Sequence, residues 1–572
     1  MFKDLPVTVD AILAMEWSDY EPYFKDLQAR ELTESNLDEW LLDWSAIADH
    51  LDEQYTRLFV ATTQHTDDIE IENRFNHFIE TVQPPARVEE QKLKEKLLAS
   101  GLESPNFKMG LKKMRAEADI FSEANLDLLI EEQKLNAEYN KLIGSQTVMW
   151  EGEERTMAQM YPLTQDKDRA IREKAWKAVV EVRVQNREAV NKLWTKFMPV
   201  RLKIAQNAGL PDYRAYCWAQ KFRFDYTPED CKTFHAAIEK VVVPAAIRIY
   251  ERHRQKLGLD RFRPWDQMAD ASGGEPLRPY ETLNEFKSKA RDIFTKVDPQ
   301  FGKYFQVMMD GDLLDLDDRK NKAPGGYNLI YGVTGKPFIF MSNTGMQYDV
   351  DTILHEGGHA FHAFEATVVP YFHERAEAYV PAEFAEVASM AMELLASPYI
   401  SKEHGGYYTE KDAARARLDH LEGIVTFWPY MALVDAFQHW VYENPEQGLD
   451  PMQCEEKWAE LWNRFMPGID YSGYEDAKRT YWHRQSHIHT APFYYIEYGL
   501  AQLGAVQIWA NALKDQKKAV EDYRKALALG STVSLPELFR VAGAKFAFDA
   551  ETLQTYMDVI ESELNKLEQI LQ

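Results

Sequence analysis

His355 and His359 stand four residues apart, with Glu356 directly after the first, in the stretch "DTILHEGGHAFHAFEA" (351–366). On a helix, two neutral imidazoles at i and i+4 can reach one zinc ion. A glutamate between them can take a proton from a water that the ion acidifies. A third histidine, His362, follows nearly one turn later. Taking about 100° per residue and His355 as zero, His359 falls near 40° and His362 near −20°. By the same count Ile353, Leu354, Gly357, Phe361 and Phe364 fall between about 160° and 260°, an apolar back face for the core. Glu356 lies near 100°, beside the histidines, and Gly358 near 300°, on their other flank. His362 reads as a supporting or hydrogen-bonded structural histidine rather than a ligand. Two glycines inside a helix cost roughly 1 kcal/mol each against alanine, so each needs a reason. Gly357, on the back face, is expected to let a neighbouring element pack close. Gly358 is expected to leave room for something to approach the histidines.

A catalytic zinc takes three protein ligands and keeps an open position. Acids downstream are Glu365, Glu374, Glu377, Glu383, Glu386 and Glu393. The segment "VPAEFAEVASMAMELL" (380–395) reads as a second helix starting at Pro381. Glu383 falls in its first turn, where an acid merely answers the helix dipole. Glu386 lies one turn deeper among Ala385, Val387, Ala388 and Ser389. A carboxylate there is costly to bury unless something pairs it, and its small neighbours let two helices come close. Glu386 is therefore taken as the third ligand. Glu393 shares its face and is a candidate supporting residue.

These side chains need a rigid frame, and most of the chain reads as helix. Asp349 is a plausible N-cap for the histidine helix, Asp351 places a second acid in its first turn, and Pro370 stops it. Apolar residues recur at helical spacing in "NLDEWLLDWSAIADHLDEQYTRLFVATTQ", "RAIREKAWKAVVEVRVQNREAVNKLWTKFM" and "DAETLQTYMDVIESELNKLEQIL". "TVMWEGEERTM" (147–157) predicts a small hairpin around Gly152, and 261–280 is a break rich in Pro and Gly. Residues 317–345 mix turn signals with β-prone runs such as Phe338-Ile339-Phe340-Met341, which predicts a small sheet directly before the histidine helix. The boundary is set at about residue 200, with an N-terminal helical lobe over 1–200 and a zinc catalytic domain over 201–572.

The chain has 572 residues and a net charge of −26, which argues against a nucleic-acid partner needing a basic face. No run of 18 apolar residues predicts a membrane span, and the N-terminal segment shows no signal peptide. Cys217, Cys231 and Cys454 are few, odd in number and widely spaced, so neither a disulfide framework nor a cysteine-rich zinc site is expected. A reducing, cytoplasmic location is the simplest expectation.

"HEGGH" followed by "AEVAS" resembles the M3 family of zinc oligopeptidases, more closely its oligoendopeptidase F branch. "LTQDKDRAIREKAW" (163–176), "KAPGGYN" (322–328), "KPFIFMSNTG" (336–345) and "HIHTAPFYYIEYGLAQLGA" (487–505) also look like family segments. The resemblance implies a mainly α fold, a two-lobed helical metallopeptidase with a deep channel and a small β-sheet next to the HExxH helix. It implies one zinc per chain on His355, His359 and Glu386, with Glu356 as general base and acid. From the last segment it implies a histidine and two tyrosines that hold the substrate and stabilise the tetrahedral intermediate. Tyr495 and Tyr498 keep the i, i+3 relation of the family pair. His487 best fits the spacing to Pro492, with His489 and His483 as rivals. "FIFMSN" would be the strand along which a peptide backbone lies. The function so implied is zinc-dependent endopeptidase action on short peptides. The alternatives are a zinc carboxypeptidase or dipeptidyl carboxypeptidase, with Arg484 as a possible holder of the C-terminal carboxylate, and a catalytically inactive helical peptide-binding protein.

Overall fold

The computed structural model describes residues 2, 4–271 and 274–572, so Ser272 and Gly273 of the expected 261–280 break lie outside it. Helices account for 71% of it, and the strands are few and short, in agreement with a mainly α fold. Two compact units emerge from the packing. The first combines the chain up to Arg115 with Leu277–Ala413 and Ala501–Phe546; the second combines Ala116–Pro276, Ala414–Leu500 and Ala547–Gln572. Both are assembled from segments far apart in sequence. Residue 200, the expected boundary, lies inside a helix of the second unit, Arg187–Asn207.

In the first unit, helix α1 (Leu37–Gln64) buries Trp40, Leu41, Trp44 and Ile47 at helical spacing, in a core shared with Tyr20 and Phe24. In the second unit, β1 (Thr147–Trp150) and β2 (Glu153–Thr156) form the expected antiparallel hairpin. Its two-residue turn holds Glu151 and Gly152 at positive φ, as such turns require. That unit also contains α2 (Arg187–Asn207) and α3 (Pro228–Lys256).

The first unit continues with α4 (Leu283–Val297) and a three-stranded sheet made of β3 (Leu314–Asp315), β4 (Tyr327–Tyr331) and β5 (Lys336–Phe340). The strand order is β3-β5-β4, with β5 parallel to β3 and antiparallel to β4. The sheet precedes the histidine helix as expected. The reading of "FIFMSN" as a strand open to a peptide does not hold. On the side away from β4, the amides of Ile339, Met341 and Asn343 already donate to the carbonyls of Leu313, Asp315 and Leu316. The stretch 338–340 is thus paired on both sides and has no edge to offer, while Met341 and Asn343 are bonded on the β3 side.

Next come α5 (Gln347–Ala366), α6 (Ala382–Ala396), α7 (Glu410–Glu443), α8 (Tyr495–Leu527) and α9 (Ala550–Leu571). Helix α5 carries the histidines, and its N-cap is Met346 rather than Asp349. Asp349 sits at the third helical position and accepts the backbone N–H groups of Thr344, Gly345 and Met346, as well as the Tyr280 hydroxyl. One carboxylate thus satisfies the donors around the helix start and opposes the positive end of the dipole.

Candidate metal centre and tyrosine cluster

Helix α5 lies close against α6, and the two glycines of HEGGH explain how. A Cβ on Gly357 would stand 2.5 Å from the tip of the Phe294 ring of α4, so Gly357 admits a neighbour on the apolar side, as expected. A Cβ on Gly358 would stand 2.5 Å from the Ala388 carbonyl oxygen and 2.6 Å from the Ser389 Cα. Gly358 therefore admits the backbone of α6, and the expectation that it leaves room over the histidines is corrected. The flank it occupies is the helix–helix contact itself. The Tyr523 hydroxyl donates to that same Ala388 carbonyl at 2.6 Å and holds α6 in place.

This close approach brings Glu386 to the histidines. Its Oε2 lies 3.5 Å from His355 Nε2 and 3.7 Å from His359 Nε2, and the three donor atoms lie within 4.8 Å of one another. Ser389 Oγ donates to the same Oε2 at 3.0 Å. Behind the site, His355 Nδ1 donates to Glu393 Oε1 at 2.6 Å. That bond places the neutral ring's proton on Nδ1 and leaves the Nε2 lone pair facing Glu386, the arrangement typical of metal-ligating histidine.

Glu356 is buried beside the histidines. Burial pushes its carboxyl up to about 7, with Glu386, Glu377 and Glu393 adding to the rise against the pull of His355. Burial and then Glu386 push Glu377 up to about 7 as well. At His355 the burial penalty is outweighed by the Glu393 hydrogen bond and by the charges of Glu393, Glu386 and Glu356, which push the ring up to about 9. Burial, then His355 and His362, hold His359 well below the ordinary range. Two imidazoles and several partly buried carboxylates around one point form a surrounding that a divalent cation would balance.

Two of the other candidates, Glu365 and Glu374, are engaged elsewhere in the packing. Glu365 accepts from Arg524 Nε at 2.7 Å, and Glu374 accepts the Gly110 amide at 2.9 Å. His362 is buried, packs against Phe384, and is pushed down by burial to about 4. Its Nε2 has no hydrogen-bond partner among the described protein groups.

A second set of donors, Cys231, Asp435 and His439, also lies within 4.8 Å of one another, in the second unit. Two members of this set, Asp435 and His439, also meet neighbouring side chains. Arg214 donates to His439 Nδ1 at 3.4 Å, which leaves the proton of a neutral His439 on Nε2, facing Asp435 at 3.2 Å. His235 Nε2 contacts the same carboxylate at 2.8 Å. Burial works against the Asp435 charge, but His439 and His235 together hold the carboxyl well below its usual range.

The segment from 485 to 498 is built in the second unit. Fully buried Arg201 donates to the carbonyls of Ile488 and His489, and Trp428 Nε1 donates to the Gly499 carbonyl at 3.0 Å. Phe493 takes φ +60°, a conformation an L-residue adopts at a cost. Its amide donates to Gln438 Oε1 at 2.7 Å, and its carbonyl accepts from Arg223, which also reaches Glu497 at 2.6 Å. The resulting turn into α8 gathers four rings. The His487 ring centroid is 5.0 Å from that of Tyr495, 5.8 Å from Tyr494 and 5.9 Å from Tyr498. Tyr495 and Tyr498 are 5.8 Å apart, and Tyr494 is 5.1 Å from Tyr498. Gln485 Oε1 accepts from the Tyr430 hydroxyl at 2.8 Å, so its amide nitrogen donates to His487 Nδ1 at 2.9 Å. A neutral His487 then carries its proton on Nε2. Burial and Lys221 favour that neutral form against Glu497. Burial, then Tyr481, push the Tyr495 hydroxyl up to about 12 against Arg484 and Gln485, so it remains a donor.

Of the rival histidines, His489 is fully buried and stacks on Tyr139 and Trp482. His483 is buried with neither ring nitrogen hydrogen-bonded. Tyr494 belongs to the cluster as much as the chosen pair does, although its place in an aromatic run reads as core.

A family model described as peptidase family M3 matches residues 162–558. The chain belongs to peptidase family M3. The matched span includes every candidate site residue in both units. Among relatives of this M3 chain, an oligoendopeptidase F homolog from Borreliella burgdorferi is 21% identical over 354 residues, which are 60% of this chain. The chain spans 57% of that curated relative's length. PZ peptidase A, solved with an inhibitor, matches with a TM-score of 0.85 at 28% identity, covering 99% of this chain and 98% of that one. A structure assigned as an oligoendopeptidase F matches with a TM-score of 0.85 at 27% identity, covering 96% and 97%. An oligoendopeptidase F assignment from Bacillus anthracis str. Ames shares the fold at 24% identity, with a TM-score of 0.81 over 100% and 99% of the two chains. Within M3, the chain falls in the oligoendopeptidase F branch.

Proposed function

We propose that this M3 chain is a zinc-dependent endopeptidase that hydrolyses short peptides. The observation that carries the reading is the convergence of His355, His359 and Glu386, with Glu393 behind His355 and buried Glu356 beside the pair. Two nitrogens and one oxygen suit a catalytic zinc site that keeps a position open. Held by those three residues, zinc would polarise the scissile carbonyl and acidify a water. Glu356 accepts the proton of the attacking water and later delivers it to the leaving amine. Its place directly after His355 and beside the ligand pair suits both directions of transfer. The Tyr498 and Tyr495 hydroxyls donate to the carbonyl oxygen as it gains charge, and His487 Nε2–H holds the peptide backbone. The gathering of these three rings supports those roles.

Short peptides as substrates follow the names of the relatives. Free, buried cysteines and the lack of any helix long and apolar enough to cross a membrane, among the described residues, fit a cytoplasmic site of action. The test is a digest of a mixed peptide library read by mass spectrometry. Cleavage at internal bonds is expected, with loss on chelation and recovery when zinc is restored. Cleavage that survives chelation, with zinc shown to be removed, would overturn the reading.

A further inference from the structure

Acids outnumber basic residues by 92 to 66 in this chain, so an arginine without an acid is against the trend. In the second unit Arg172, Arg187, Arg201, Arg214, Arg223 and Arg252 each meet an Asp or Glu. Arg183 and Arg484 do not. Among the described residues no side-chain hydrogen bond or ion pair reaches either guanidinium, and no acid is among the main influences on either.

Tyr430, Tyr471 and Tyr481 act on the charges of both arginines, and Arg484 packs on a ring. The Arg484 guanidinium lies 4.4 Å from the Tyr481 ring centroid. Tyr481 is 6.0 Å from Tyr430, which is 5.9 Å from Tyr495, so a continuous run of rings links Arg484 to the tyrosine cluster. Tyr471 belongs to the same surround. Burial, then Arg484, push Arg183 down to about 10. Two cations that disfavour each other, in a surround of neutral tyrosines, leave a binding place for an anion. Guanidinium is well suited to that task, because its fork of donors matches a carboxylate.

We propose that Arg183 and Arg484 form a subsite for a carboxylate of the bound peptide. The carboxylate is either the peptide's C-terminal group or an Asp or Glu side chain. The proposal rests on the peptidase reading above and adds a substrate class to it. The tyrosines would flank the ion pair and add hydroxyl donors around it. The subsite would anchor the peptide at a set distance from Tyr495, and so select the bond that is cleaved.

The test uses the zinc-loaded full chain and matched peptides. One arm pairs each peptide's free C-terminal acid with its amide. The other pairs Asp with Asn and Glu with Gln at successive positions. In the wild type at least one pair is expected to differ by about 10–100-fold in kcat/KM, mostly through KM, the scale of a charge-assisted hydrogen-bonded contact. The arm in which the difference appears identifies the source of the carboxylate. Arg484→Gln and Arg183→Gln are expected to bring that ratio close to one, and Arg484→Lys to restore part of it. Equal cleavage within every pair by the wild type would overturn the proposal, as would a ratio that persists in both glutamine variants. Absence of cleavage of every peptide by a chain shown to carry zinc would refute the peptidase reading, and the subsite with it.

Discussion

Replacing Gly358 with alanine perturbs the metal centre without touching a donor. The new Cβ would lie 2.5 Å from the Ala388 carbonyl oxygen and 2.6 Å from the Ser389 Cα, both backbone atoms of α6. Restoring an ordinary contact of 3.4 Å means separating α5 and α6 locally by about 0.9 Å. Close-packed interiors transmit such a shift, and Glu386 lies two residues before Ala388 on the displaced helix. Overpacking of this kind costs about 1–3 kcal/mol, partly offset by the roughly 1 kcal/mol that alanine gains over glycine in a helix. The net loss of stability is then about 0–2 kcal/mol, which leaves the protein folded. Zinc affinity is expected to fall by about 10–100-fold, as when the support of a metal site is disturbed. Gly357→Ala is the control. Its Cβ meets only the tip of the Phe294 side chain, at 2.5 Å, so its cost should appear in stability rather than affinity. Competition with a chromophoric chelator reads the affinity, and urea unfolding reads the stability. A Gly358→Ala chain that binds zinc as tightly as wild type would refute the reasoning, as would equal affinity losses in the two variants.

Three further perturbations separate the roles assigned above. Glu393→Ala removes the acceptor at 2.6 Å from His355 Nδ1 and should weaken zinc binding by about 10–100-fold in the same chelator competition. Glu356→Gln should retain zinc while turnover falls by at least about 10²–10⁴; near-normal turnover with zinc bound would remove its role as base. Tyr498→Phe should lower kcat by about 10²–10³ with little change in KM, whereas Tyr495→Phe should act more on KM. Wild-type kinetics in both phenylalanine variants would mark the cluster as packing.

The convergence of His355, His359 and Glu386 is legible because it is local. HEGGH at helical spacing faces one way, and Glu386 stands out as an acid among small residues one turn into the next helix. Glu393 follows from the same periodicity. What periodicity does not encode is which element lies opposite a given flank. Gly358 therefore reads as open space in the sequence, although α6 backbone fills it. The β-prone run at 338–341 announces a strand but not its neighbours; β3 is only two residues long and leaves no pattern of its own. His487 differs from His489 in its surroundings through side chains distant in sequence, such as Tyr139 and Trp194 around His489. Arg183 sits on an ordinary helical face, and nothing nearby in sequence marks the absence of an acid partner. The two compact units are stitched from segments hundreds of residues apart, which no single position along the sequence marks.

An anomalous difference map recorded at the zinc edge from crystals of the zinc-loaded chain tests the central claim most directly. One strong peak per chain is expected, about 2.0–2.2 Å from His355 Nε2, His359 Nε2 and a Glu386 oxygen. A peak held by Glu383 or Glu365 in place of Glu386 would overturn the ligand assignment. A peak only at Cys231, Asp435 and His439, or none at all in a chain that cleaves peptides, would contradict a zinc peptidase built on α5 and α6.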